Sequence, residues 1–152
     1  MTAKHSLARN AVLVFGWATV LKENAFDVIY GMGQSMEPVI PDGSIILVDR
    51  LSRRWRDWER GDVVLLRSPT RSNGATICKR ILALEGDVVH LHPRYDESRA
   101  ETITVPKGHV WVEGDNPRVS VDSRQIGAVP AALLLGRACA IAWPAERMSL
   151  IR

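Results

Sequence analysis

The sequence is poor in the residues that most often announce a chemistry. It has two cysteines, Cys78 and Cys139. Two are too few for a disulfide scaffold, and these lie too far apart for a Cys-x-x-Cys redox or metal motif. They read most simply as apolar thiols in a core, with a single disulfide as the alternative. Histidine is equally scarce: His5 sits in the N-terminal arm, His90 and His92 share one short apolar segment, and His109 comes after a Pro-Lys-Gly turn. None has the neighbours that a Ser–His–Asp triad would need, and no His/Asp/Glu cluster stands at metal-ligand spacing. There is no zinc-finger spacing, basic helix or RNP-type motif, which excludes nucleic acid as the expected partner. Internal repeats and low-complexity tracts are also missing.

What is there is the composition of one globular domain, with 46% hydrophobic and 24% charged residues in 152. The net charge of +3 is mildly basic and compatible with a surface near anionic lipid. Lys4 and Arg9 precede the apolar run Ala11 to Leu21, which stops at Lys22 and Glu23. That run is shorter than the roughly 20 apolar residues of a full span. It reads as a short membrane anchor completed by Ser6-Leu7-Ala8, as a targeting segment, or as a core helix.

From Asp27 onward, short apolar segments alternate with Gly, Pro and Asp turn signals. Residues 44–49, 62–66, 76–84, 88–92, 101–105, 109–113 and 138–143 are predicted strands, with a helical turn over 131–135 after Pro130. The fold class is therefore mainly β. Residues 51–59 and 93–99 read as loops. The first sets Trp55 and Trp58 among arginines, either as a solvated loop with partly packed indoles or as a membrane-interface patch.

Three segments carry candidate chemistry. In Gly31-Met-Gly-Gln-Ser-Met-Glu-Pro38, glycines let the backbone around Ser35 approach a substrate, and Pro38 stiffens the chain beyond the serine. In Ile77-Cys-Lys-Arg-Ile81, strand alternation sets Lys79 on one face with two isoleucines and turns Cys78 away. A lysine so placed is desolvated, and desolvation disfavours the ammonium, leaving an amine able to take a hydroxyl proton. A lysine snorkelling from an edge strand is the plainer alternative. The third segment, Gly114 to Arg124, is dense in small polar residues and lacks the spacing of a calcium loop. It reads as a hydrogen-bonded platform, with Ser120 available to orient Lys79 and with Asp122 and Arg124 available to pair.

Taken together and in this order, the segments resemble the type I signal peptidase family, peptidase S26. Ser35-Met36-x-Pro38 is similar to its nucleophile box, and Arg60-Gly61-Asp62-Val63-Val64 to the strand after that box. Lys79-Arg80-Ile81 with Gly86-Asp87 is similar to its lysine box. Gly114-Asp115-Asn116 with Ser120, Asp122, Ser123 and Arg124 is similar to its last box. The short chain resembles the mitochondrial inner membrane peptidase branch. Residues 81–87, 109–115 and 143–147 look most like subunit 2, with subunit 1 the runner-up.

The resemblance implies a signal-peptidase-like antiparallel β domain over residues 27–152, behind an N-terminal membrane-anchoring helix within residues 1–26. It implies a serine endopeptidase with Ser35 as nucleophile and Lys79 as general base, supported by Ser120, Asp122 and Arg124, and needing no metal or cofactor. The expected address is the mitochondrial inner membrane, with the catalytic domain in the intermembrane space. The expected partners are precursors with cleavable targeting signals and the other peptidase subunit. The alternatives are a non-catalytic, stabilising β subunit, a bacterial-type signal peptidase I, and a self-cleaving protease of the repressor type, for which the chain has neither a DNA-binding domain nor a cleavage loop. Gly33 departs from the pattern: many bacterial members carry a hydroxyl there that helps form the oxyanion hole. The hole here would rest on the Ser35 backbone N–H.

Overall fold

A computed structural model describes residues 25–51, 57–71, 74–91 and 101–152. The expected anchor over residues 7–23, Trp55 and the polar hairpin tip at 93–99 lie outside the described residues. Among the described residues, no helix is long and apolar enough to cross a membrane.

The described chain is mainly antiparallel β. The strands are β1 (Phe26–Tyr30), β2 (Ile45–Asp49), β3 (Val63–Arg67), β4 (Thr76–Ala83), β5 (Val88–Leu91), β6 (Glu101–Thr104), β7 (His109–Glu113), β8 (Val129–Pro130), β9 (Leu134–Trp143) and β10 (Ser149–Leu150). A one-turn helix, α1 (Ser123–Ile126), precedes β8. The main sheet runs β1-β2-β9-β3-β4-β7-β8, with β10 added to β9, and β5–β6 form a separate ribbon. The ten-residue β9 pairs with both β2 and β3 and so joins the two halves of the sheet.

The centre of this sheet is covered on both faces, which is why β3 reads as an unbroken apolar run rather than an alternation. Val63 and Leu65 pack with Met36, Ile40, Ile46, Val48 and Ala138 on one side. Val64 and Leu66 pack with Ile81, Val110, Val112, Val129 and Leu134 on the other. Fully burying each such side chain contributes about 1.5–3 kcal/mol. The register then fixes the two faces of β4. Leu65 lies opposite Cys78 and Val64 opposite Lys79, so the thiol joins the first cluster and the lysine stands over the second.

The structure departs from the sequence expectations in three places. β9 begins at Leu134 rather than at residue 138, because the helical turn is a single 3-10 turn, Ala131–Leu133. β1 and β10 carry no strong turn signals and appear only through their pairing with β2 and β9. α1 is nucleated by a capping box in which Asp122 and Gln125 satisfy each other's backbone N–H groups. Trp58, expected to be partly packed, lies against the second cluster.

Candidate active site

Ser35 stands on the connection between β1 and β2. Two hydrogen bonds clasp the base of that connection: Gly31 N donates to Ser44 O at 2.8 Å, and Gly43 N donates to Gly31 O at 3.1 Å. Above the clasp, Met36 and Ile40 sink into the first core cluster, and Ile40 N donates to Met36 O at 2.8 Å. The turn is thus pinned from below by apolar side chains, while Ser35 stays half-buried at its rim. Gly33 has φ +104°, a conformation that strains any residue with a Cβ, and its N–H donates to Asp42 Oδ1 at 2.7 Å. The N–H of Ser35 donates to no group of the described residues.

Lys79 comes from β4, between Ile77 and Ile81, and is 3% exposed. Its Nζ lies 3.0 Å from Ser35 Oγ, 44 positions away in sequence. Burial is the largest influence on its pKa and moves it below the ordinary lysine value. Asp122 pulls against that shift, while Arg71 and Arg124 add to it. The adjacent Cys78 thiol, pushed up to about 12 by burial, is neutral near pH 7 and supplies no charge there.

Residues 114–124 form the third wall, built around Asp122. Its side chain is fully buried and accepts from Ser120 Oγ (2.6 Å), Gly114 N (2.9 Å) and both Arg124 Nε (2.9 Å) and Nη2 (2.7 Å). Burial alone would raise the carboxyl pKa. The Arg124 guanidinium and the other donors outweigh it and hold the group below the usual carboxylate range. Ser123 Oγ accepts from Val112 N at 2.9 Å, which fastens α1 to β7.

This wall reaches Ser35 through its backbone. Asn116 N donates to Ser35 O at 3.0 Å. A Cβ on Gly114 would fall 2.5 Å from Ser35 O and 2.3 Å from Ser120 Oγ, so only glycine lets the wall approach so closely. Arg80, beside Lys79, clamps the same wall with a bidentate pair to Asp115, both contacts at 2.8 Å, and donates to Gly61 O at 2.7 Å.

Of the residues singled out from sequence, the fold brings Ser35 and Lys79 together and groups Ser120, Asp122 and Arg124. The Ser120 hydroxyl proton goes to Asp122, and no hydrogen bond joins Ser120 to Lys79. Gly33 lies at the outer side of the turn, with nothing within 4 Å of where its Cβ would be. Arg80, Asp115 and Asn116 stand in the sequence only as separate parts of the family pattern, since nothing in their spacing reveals that Arg80 pairs with Asp115 or that Asn116 holds Ser35.

A cleft of about 740 Å³ runs past the pair. It is lined by the end of β1, the Ser35 turn, Ser68, Thr70 and Arg71, Thr76 to Lys79, and Val119 and Val121. β4 pairs with β7 only from Arg80 to Ala83, so Thr76 to Lys79 have a strand partner on the β3 side alone among the described residues.

Comparison with known proteins gives this architecture its class. The family model "Signal peptidase, peptidase S26" matches residues 4–97 and 90–143, and the chain belongs to that family. It is 43% identical over 120 residues to mitochondrial inner membrane protease subunit 1 of Xenopus tropicalis, covering 79% of this chain and 71% of that protein. It is 35% identical over 149 residues to mitochondrial inner membrane protease subunit 2 of Schizosaccharomyces pombe, covering 94% of this chain and 81% of that one. Relatives of both subunits therefore match, with higher identity to this subunit 1 and longer coverage by this subunit 2. A signal peptidase I from Enterococcus faecalis V583 aligns in structure with a TM-score of 0.45 and 23% identity, over 54% of this chain and 97% of that one.

Proposed function

We propose that this chain is a serine endopeptidase of the mitochondrial inner membrane. It would remove sorting or signal peptides from precursors delivered to the intermembrane space, working beside the other peptidase subunit. The observation that carries this reading is the 3.0 Å approach of a buried lysine amine to a half-exposed serine hydroxyl at the rim of a cleft.

The chemistry comes from that approach. When Lys79 is neutral, its nitrogen lone pair accepts the Ser35 hydroxyl proton as Oγ bonds to the scissile carbonyl carbon. The oxyanion so formed meets the Ser35 N–H, which is engaged by no described residue. The carbon–nitrogen bond breaks, and Lys79 passes its proton to the leaving amine. Water then loses a proton to Lys79 and attacks the ester. The carbon–Oγ bond breaks and the proton returns to Ser35. Ser120, Asp122 and Arg124 act as positioning residues through the Gly114 wall. An extended peptide fits the cleft by adding to the one-sided edge of β4 at Thr76 to Lys79.

The test is cleavage of a precursor-derived peptide by the full-length chain in detergent, with Ser35→Ala and Lys79→Ala compared at unchanged circular dichroism. Each is expected to lower kcat by about 10⁴-fold or more, and the double variant to add little, because the two side chains act as a unit. Ordinary turnover by either single variant overturns the assignment.

A further inference from the structure

The cleft is apolar along most of its wall, through Ile29, Met36, Leu65, Ile77, Val119 and Val121. One stretch breaks that character. Ser68, Thr70 and Arg71, at the end of β3, all line the cleft. Ser68 is buried, and its Oγ lies 3.2 Å from Thr70 Oγ1. Its N–H donates to Ala75 O at 2.8 Å, which fixes the hydroxyls against the start of β4. Arg71 is exposed, and its guanidinium has no ion pair among the described residues. The other charged groups on the cleft wall are engaged: Asp42 accepts from Gly33 N, and Lys79 meets Ser35. A few convergent polar groups in an apolar cleft set orientation and specificity; one of the two hydroxyls donates to the other, which leaves one O–H and a guanidinium with no ion pair among the described residues to meet a carboxylate.

On the proteolytic reading above, we propose that Ser68, Thr70 and Arg71 form a subsite for an acidic side chain of the substrate, away from the scissile bond. Its distance from the cut is set by β4. Ser68 N–H meets Ala75, four residues before Lys79, and at about 3.3 Å per residue that point is about 13 Å from the dyad. An extended substrate spans that distance in about four residues, so the favoured Glu or Asp lies about four residues from the cleaved peptide bond. The Arg71 charge also reaches Lys79, where it opposes the ammonium, which is consistent with its position over the cleft.

The experiment uses the full-length chain in detergent and a set of ten-residue peptides. Each carries one Glu, Gln or Lys at a position from four before to four after the cut. The expected result is one position, about four residues away, where Glu exceeds Gln in kcat/KM by about tenfold, with the ratio shrinking as salt is raised. Arg71→Gln brings that ratio toward one, and Arg71→Glu turns the preference toward Lys. Cleavage with no Glu-preferring position, or a preference that survives Arg71→Gln, overturns the subsite and leaves the protease standing. No Ser35-dependent cleavage of any peptide overturns the proteolytic reading, and the subsite with it.

Discussion

The two halves of the candidate dyad are held in opposite ways. Ser35 rides on an irregular connection, half-open to solvent, and is fixed by backbone contacts: the Gly31 clasp, Asn116 N on its carbonyl, and the close approach of Gly114. Lys79 is part of a sheet strand, closed off from water and fixed by the β3 ladder and the second core cluster. A nucleophile has to meet a substrate, so its support comes from behind, through groups that leave Oγ uncovered. A general base of this type has to lose its proton near neutral pH, so its support is the apolar burial that penalises the ammonium. Each half tolerates a different kind of damage, and variants can separate the two.

The largest expected effect is on the wall behind the serine. Asp122→Ala removes the acceptor of five donors and leaves Arg124 without its bidentate partner. A loss of roughly 3 kcal/mol is expected in chemical denaturation, because the remaining charge and N–H groups are largely buried. The pH dependence has a definite sign. The folded-state pKa of Asp122 lies below the unfolded value, so its contribution is present above the unfolded value and is lost as pH falls through the folded one. Wild type should therefore lose this stability on acidification, and Asp122→Ala should show a flatter acid limb.

Gly114→Ala should strike the serine side alone. Its methyl group would fall within 2.5 Å of Ser35 O, so Ser35 has to shift. A displacement of that kind costs about 10²-fold in kcat. The acid limb of the kcat/KM profile, which on the proposed mechanism reports Lys79, should stay where it is. A limb that moves with Gly114→Ala would mean that the two halves are not independently supported.

Lys79→Met probes the other half and should have the smallest and opposite effect on stability. The folded-state pKa of Lys79 lies below its unfolded value, so between the two the unfolded chain binds more protons and stability rises with pH. Below the folded value the burial penalty applies in full. Met fills a similar volume without it, so Tm at neutral pH should rise by a few degrees while activity is lost. A lower Tm for Lys79→Met would show that the ammonium is compensated in the fold, against the desolvation argument.

Much of this was legible in the residues alone. Short apolar segments between Gly, Pro and Asp turn signals mark the strands from β2 to β7, and the alternation in Ile77-Cys-Lys-Arg-Ile81 sets Lys79 opposite in facing to Cys78. Ser35 and Lys79 each stand as one polar residue in a glycine-rich or apolar setting and Gly114–Arg124 is dense in small polar residues, but these segments mark a site only through their occurrence together and in this order. β1 and α1 do not, since a five-residue edge strand and a single helical turn owe their form to pairing and capping rather than to propensity.

The sequence by itself determined the mainly β class, the family pattern, and which face of β4 carries the lysine, because these depend on local periodicity and residue order. Only the tertiary structure decided that Lys79 Nζ reaches Ser35 Oγ, that Gly114 lies against the Ser35 carbonyl, and that Arg71 stands over the same cleft. Those contacts join segments 44, 79 and 36 residues apart, or face one another across a cavity. Contacts of that range come from strand order and register, with β9 inserted between β2 and β3, and no local pattern encodes them.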